Sequence, residues 1–163
     1  MNGTIRALGR RLRRSTRGQS LVEFALLTPL LMVFVVSVID FGNMLFTYQV
    51  ITNAAREGAR RAAVFDETAS DSVVRAQIVR SLSLVADEAQ VQFVAPNEDG
   101  TCAPMSGGSA GYVLVYGCGW SGARNTDAVV GIQTDYRTVL LGRFLGNEGG
   151  TFPLKTRMVY RNE

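Results

Sequence analysis

The apolar positions of this chain form one unbroken block followed by several short, periodic sets. Phe24 to Ile39 is sixteen residues without a charge, and apolar residues dominate from Leu21 to Phe46. As a helix, such a stretch crosses the roughly 30 Å hydrocarbon core of a bilayer. A membrane span is therefore expected over residues 21–43, with Asp40 and Asn43 at its outer interface. Residues 47–64 stay rich in Ala, Arg and Glu, with neither proline nor a turn cluster, so the helix should continue. One helix over 21–64 would be about 66 Å long. Pro29 removes a backbone hydrogen bond and should kink it. Val50, Ala54, Gly58 and Ala62 recur every four residues and share a face. Such a stripe lets another backbone approach closely, or packs against the chain's own outer domain.

Beyond a polar break at 65–72 the periodicity changes. Ser70 or Asp71 can cap a second helix over 72–85. Its stripe of Val74, Ile78, Leu82 and Val85 suits a helix that covers a sheet. Strand patterns follow at 91–94, 112–118, 128–141 and 154–161, with a turn cluster of Pro96, Asn97, Glu98, Asp99 and Gly100 after the first. In the last, Leu154, Thr156, Met158 and Tyr160 alternate with Lys155, Arg157, Val159 and Arg161, as in a half-exposed strand. The fold class read from this order is α+β: a long N-terminal helix, a short helix, and a small antiparallel sheet of three or four strands.

Charge sharpens the membrane reading. The net charge of +3 is unevenly spread. Arg6, Arg10, Arg11, Arg13, Arg14 and Arg17 precede the apolar block without one acidic residue, which leaves eleven bases against fourteen acids in residues 19–163. A basic N-terminal flank places residues 1–20 in the cytoplasm and the bulk of the chain outside. The basic excess is thus confined to the membrane end, and no nucleic-acid partner is expected. Cys102 and Cys118, the only cysteines, fall on the outer side. In an oxidising compartment they are read as a disulfide, worth on the order of 3 kcal/mol for a loop of this size; the alternative is two free thiols.

Three readings compete for residues 1–46. A secretory signal would need a short apolar core and a small-x-small cleavage site, but the run is long and Asp40-Phe41-Gly42-Asn43 follows it. A plain signal anchor explains the arginines and the span and leaves Glu23 without a purpose. A carboxylate at the start of a span is costly unless it is paired or snorkels to the headgroups, so Glu23 is a functional candidate.

Gly18-Gln19-Ser20-Leu21-Val22-Glu23-Phe24 resembles the processing site of type IV prepilins and pseudopilins. The stretch Leu21 to Leu27, then Pro29-Leu30-Leu31, Asp40-Phe41-Gly42 and Thr52 to Arg60 narrows the likeness to the TadE-like minor pilins of tight-adherence (Tad) systems. The closing Met158 to Glu163 also fits. The resemblance implies a cut by a prepilin peptidase between Gly18 and Gln19, with Glu23 and Phe24 forming the processing and assembly motif. It implies three regions: a basic cytoplasmic leader at 1–18, a helix at 19–65, and an extracytoplasmic α+β domain at 66–163. It further implies a single-pass protein of the bacterial inner membrane that either stays there or is incorporated in the pilus. Its partners would be the peptidase, other minor and major pilins, the inner-membrane assembly platform and the bilayer. After cleavage, Glu23 of one subunit can pair with the new α-amine of a neighbour. The rival reading is an unprocessed single-span envelope protein whose outer domain binds a partner or ligand.

Catalytic chemistry is sparse. The chain has no histidine, which removes Ser-His-Asp and Cys-His arrangements and the commonest zinc ligand. Gly119-Trp120-Ser121-Gly122-Ala123 reads as a turn after a strand rather than a nucleophile elbow. Gly107 to Gly111 lacks the lysine of a phosphate-binding loop. Asn97-Glu98-Asp99 reads as a solvated turn rather than a calcium site. No metal, cofactor or enzymatic activity is expected.

Overall fold

The computed structural model of the chain describes residues 16–64, 71–105, 111–120, 126–138 and 151–161. Helix α1 (Thr16–Ala63) is followed by α2 (Asp71–Leu82), a 3-10 turn (Glu88–Gln90), and strands β1 (Val91–Val94), β2 (Val113–Cys118), β3 (Asp127–Arg137) and β4 (Thr151–Arg161). The helix begins five residues before the expected 21 and passes through Pro29 without ending. Nothing between Thr16 and Leu21 breaks helix geometry, and the first turn's N–H groups are unpartnered in any helix. The expected polar break at 65–72 falls largely on 65–70, outside the described residues.

Two compact units divide within α1, between Val35 and Val36. In the first, the helix exposes its large apolar side chains: Phe24 is 68% and Phe34 66% accessible. The most apolar stretch of α1 is 0% buried, and the helix is long and apolar enough to cross a membrane.

The second unit is built around the C-terminal half of α1. Ile51, Ala54, Ala55, Ala59 and Ala62 meet Val74, Ile78 and Leu82 of α2 and Val113, Val115, Ala128, Val130 and Ile132 of the sheet in one core. Of the two uses open to the small-residue stripe, packing against the chain's own domain is the one seen. A Cβ on Gly58 would stand 2.6 Å from Ile78 Cγ1, so only glycine lets α2 settle this close. The predicted α2 stripe is buried at Val74, Ile78 and Leu82, with Val85 partly buried against the same core.

The sheet runs β1-β2-β3-β4. Pairs β2–β3 and β3–β4 are antiparallel, whereas β1 pairs parallel to β2, Val91 opposite Val113. The sheet is therefore mixed, not wholly antiparallel. A parallel neighbour needs a crossover long enough to carry the chain back to the starting end, and the stretch from 95 to 112 supplies it. That crossover also covers the sheet. Cys102 is joined to Cys118 with Cα atoms 5.2 Å apart. Met105 lies against Gly131, its sulfur 3.0 Å from where a Cβ would stand, and its carbonyl accepts a hydrogen bond from Lys155 Nζ at 3.1 Å. Hence β2 is buried at four successive positions, 113–116, and does not alternate. Strand β4 starts three residues earlier than its alternation suggests and includes Pro153, which an edge strand tolerates. The expected continuation of β3 to 141 falls partly outside the described residues.

Candidate functional site

The residues singled out for processing lie on the first turns of α1. Gly18, Gln19 and Glu23 are exposed, as is Phe24. The spacing of four brings Gln19 and Glu23 onto one side of the helix, where Gln19 Nε2 donates to Glu23 Oε1 at 3.2 Å. One turn on, Thr28 Oγ1 donates to the Phe24 carbonyl at 2.7 Å. Added bulk at Gly18 would meet nothing within 4 Å, and the same holds at Gly42. Neither glycine serves packing among the described residues, although glycine inside a helix costs about 0.5–1 kcal/mol relative to alanine. What distinguishes Gly18 is its place: the arginines precede it and the carboxylate of Glu23 stands five residues beyond.

A second set of contacts ties the sheet to α1. Asp40 is 3% accessible, and its carbonyl accepts a hydrogen bond from Tyr136 Oη at 3.2 Å. Burial, and then the negative charge of Asp40, push the Tyr136 phenol above its ordinary range. Asp40 was expected at the outer end of the span. Its link to Tyr136, 96 residues away, leaves no trace in local spacing.

At the opposite end of the sheet, Trp120 lies over Gly117, where a Cβ would collide with the indole, and its Nε1 donates to Val129 O at 3.0 Å. Gly119, at φ 71°, makes the turn that returns the indole to the sheet. This accounts for the first residues of the Gly119–Ala123 stretch as a turn; residues 121–125 lie outside the described residues. Arg75 sits 4.6 Å from the Phe93 ring centroid and 5.9 Å from that of Trp120, while its Nε pairs with Asp71 at 2.7 Å.

The 97–101 segment is a closed turn. Gly100 N donates to Asn97 O and Asn97 N to Thr101 O, each at 2.9 Å. The Asp99 carboxylate accepts from Thr101 Oγ1 at 2.6 Å and from Thr101 N at 2.9 Å. Those two bonds hold the Asp99 carboxyl below its usual range, the hydroxyl contributing most. One oxygen of the Asn97-Glu98-Asp99 cluster, Asp99 Oδ1, is thus used by the turn itself. The 107–110 part of the glycine-rich stretch lies outside the described residues.

Comparison with known proteins bears on the N-terminal helix alone. The family model described as TadE-like protein matches residues 18–60. No curated protein and no solved structure matches the chain. The matched segment opens on Gly18, includes Glu23, and ends within the buried small-residue stripe. Over residues 18–60, about a quarter of its length, this chain is similar to TadE-like proteins.

Proposed function

We propose that this Tad pilus-associated chain is a minor pilin, or pseudopilin, supporting assembly of a thin adhesive pilus. It is inserted in the bacterial inner membrane with residues 1–18 in the cytoplasm and its C-terminal domain outside. A prepilin peptidase cuts between Gly18 and Gln19, and the product keeps its apolar helix. The observation that carries this reading is that the TadE-like segment begins at Gly18 itself, on a helix that exposes a membrane-length apolar surface.

The chemistry follows from the first turns of α1. Gly18 is the third helical residue, within the turn whose N–H groups have no intrahelical partner. Local fraying there opens the Gly18–Gln19 bond to a peptidase cleft, and the missing side chain lets the backbone approach closely. Cleavage leaves an α-amine on Gln19. In the uncut chain the Gln19 amide occupies Glu23. After the cut, Glu23 of one subunit pairs with the free amine of its neighbour. In lipid such a pair relieves two costly charges together and selects one axial register. The chain is a peptidase's substrate rather than an enzyme. Its further partners are other minor and major pilins, the inner-membrane assembly platform and the bilayer.

N-terminal sequencing and intact mass of membrane-extracted protein, with and without the peptidase, test this. A start at Gln19 only when the peptidase is present is expected, and Gly18→Leu should restore Met1. A Met1 start under both conditions overturns the reading in favour of an unprocessed single-span envelope protein.

A further inference from the structure

The Tyr136–Asp40 hydrogen bond puts one particular end of the sheet beside the point where the apolar run of α1 stops. Asp40 is the first charged residue after Phe24 to Ile39, and Tyr136 Oη reaches its carbonyl at 3.2 Å. Strand register identifies what else lies at that end. Tyr136 is paired with Phe152. Thr134, opposite Val113, donates its hydroxyl to the Tyr112 carbonyl. Phe152 is 50% and Tyr112 40% accessible, and Phe41, next to Asp40 on α1, is 56% accessible. Exposed aromatic side chains therefore stand at this end of both faces of the sheet and on α1, where the helix leaves its uncharged stretch. Arg137 and Thr151 are also paired at this end.

We propose that this end of the sheet is a membrane-contact rim, with Phe152, Tyr112 and Phe41 seated in the headgroup layer and Tyr136, paired with Phe152, bracing the sheet to α1 at the same level. The inference rests on the reading of α1 as a membrane span. Aromatic rings favour the interface because one part of the side chain is apolar while the ring or hydroxyl still meets water and headgroups. The bilayer is the occupant because the rim adjoins the last uncharged turn of α1, where Val38 and Ile39 are exposed. Charge at this end is mixed, with Asp135 and Arg137 flanking Tyr136 and the acidic Asp87 and Glu88 preceding β1. The contact therefore suits zwitterionic headgroups and needs no anionic lipid. Its consequence is a head domain held close to the membrane until the subunit is lifted out.

Trp120, the only tryptophan, supplies the control. Its indole is bonded at Val129, seven residues along β3 from Tyr136, or roughly 23 Å. The full chain is reconstituted in phosphatidylcholine vesicles without bromine, and in vesicles with bromine both near the carboxyl end and near the methyl end of the acyl chains. Three single-tryptophan forms are compared: the natural chain, and Phe152→Trp and Phe34→Trp, each in a Trp120→Phe background. Expected is strong quenching of Phe34→Trp and Phe152→Trp, with Trp120 emission unchanged. Quenching of Phe34→Trp with none of Phe152→Trp overturns the rim and leaves the span standing. Loss of quenching at both overturns the span as well. Emission of Phe152→Trp that follows the protein-to-lipid ratio instead of bromination places another copy on the rim, and likewise overturns the proposal.

Discussion

The two halves of α1 solve opposite problems with one secondary structure. Residues 21–39 carry large apolar side chains and expose nearly all of them; Leu26 is 75% accessible and Leu30 69%. Residues 50–62 carry mostly small ones and bury them, with Ala54, Ala55 and Ala59 at 0%. In water the first half would lose about 25 cal/mol for every Å² of apolar surface left uncovered. Its stability therefore belongs to a solvent that is itself apolar. The second half gains from closeness: removing side-chain bulk lets α2 and the sheet approach until larger residues such as Ile78 and Ile132 fill the space. Side-chain size, not hydrophobicity alone, separates the uncovered surface of this helix from its protein-facing one.

The sharpest break in this contrast should come from truncating the buried partner. Ile78 is fully buried beneath Gly58, so Ile78→Ala should cost about 2–5 kcal/mol. Leu26→Ala, in the exposed half, should stay within about 0.5 kcal/mol. Denaturant unfolding of the detergent-solubilised chain, followed by Trp120 emission, measures both. Equal effects would mean that the two halves do not differ in what covers them.

The glycines give a smaller and opposite-signed pair. Gly58→Val drives two branches into the Ile78 side chain and should destabilise by about 1–3 kcal/mol. Gly42→Ala meets nothing within 4 Å and should stabilise by about 0.5–1 kcal/mol through helix propensity. A destabilising Gly42→Ala would show that the exposed half has a packing requirement of its own. The same unfolding measurement reads both.

The finest adjustment concerns the hydrogen bond joining the sheet to α1. Tyr136→Phe removes the donor to Asp40 O and should cost about 0.5–1.5 kcal/mol near neutral pH. The sign of the pH effect follows from the raised phenol. The folded state binds this proton more tightly than the unfolded state, so the stability is fully present below the ordinary value of 10.0 and declines as pH rises from there through the folded value. The natural chain should lose stability across that alkaline window, and Tyr136→Phe should lose less. Unfolding midpoints at neutral and alkaline pH compare the two; identical alkaline losses would remove Tyr136 from the account.

Gln133 marks where local pattern misleads. It is 1% accessible, and neither of its amide atoms has a hydrogen-bond partner among the described residues. Alternation along β3 would place it on a solvated face, because Ile132 points into the core. The 102–105 segment, held by its disulfide, lies across the neighbouring positions Tyr116, Val129 and Gly131. That face is covered by a piece of chain whose arrival no period of two announces. The parallel pairing of β1 escapes for the same reason, since strand direction depends on the route of the crossover and not on the residues that pair.

The helical placement of the residues proposed for processing was legible. Gly18, Gln19, Glu23 and Phe24 fall within one short stretch, so their spacing on a helix follows from sequence. The apolar block, the stripe Val74, Ile78 and Leu82, and the α+β order were legible because each is written in residues one or two turns apart. Tertiary structure decided whether the small-residue stripe faces its own domain, that Met105 covers Gly131, and that Tyr136 meets Asp40. Those are contacts between segments tens of residues apart, selected by how whole surfaces fit, and a local period carries no information about which distant surface will arrive.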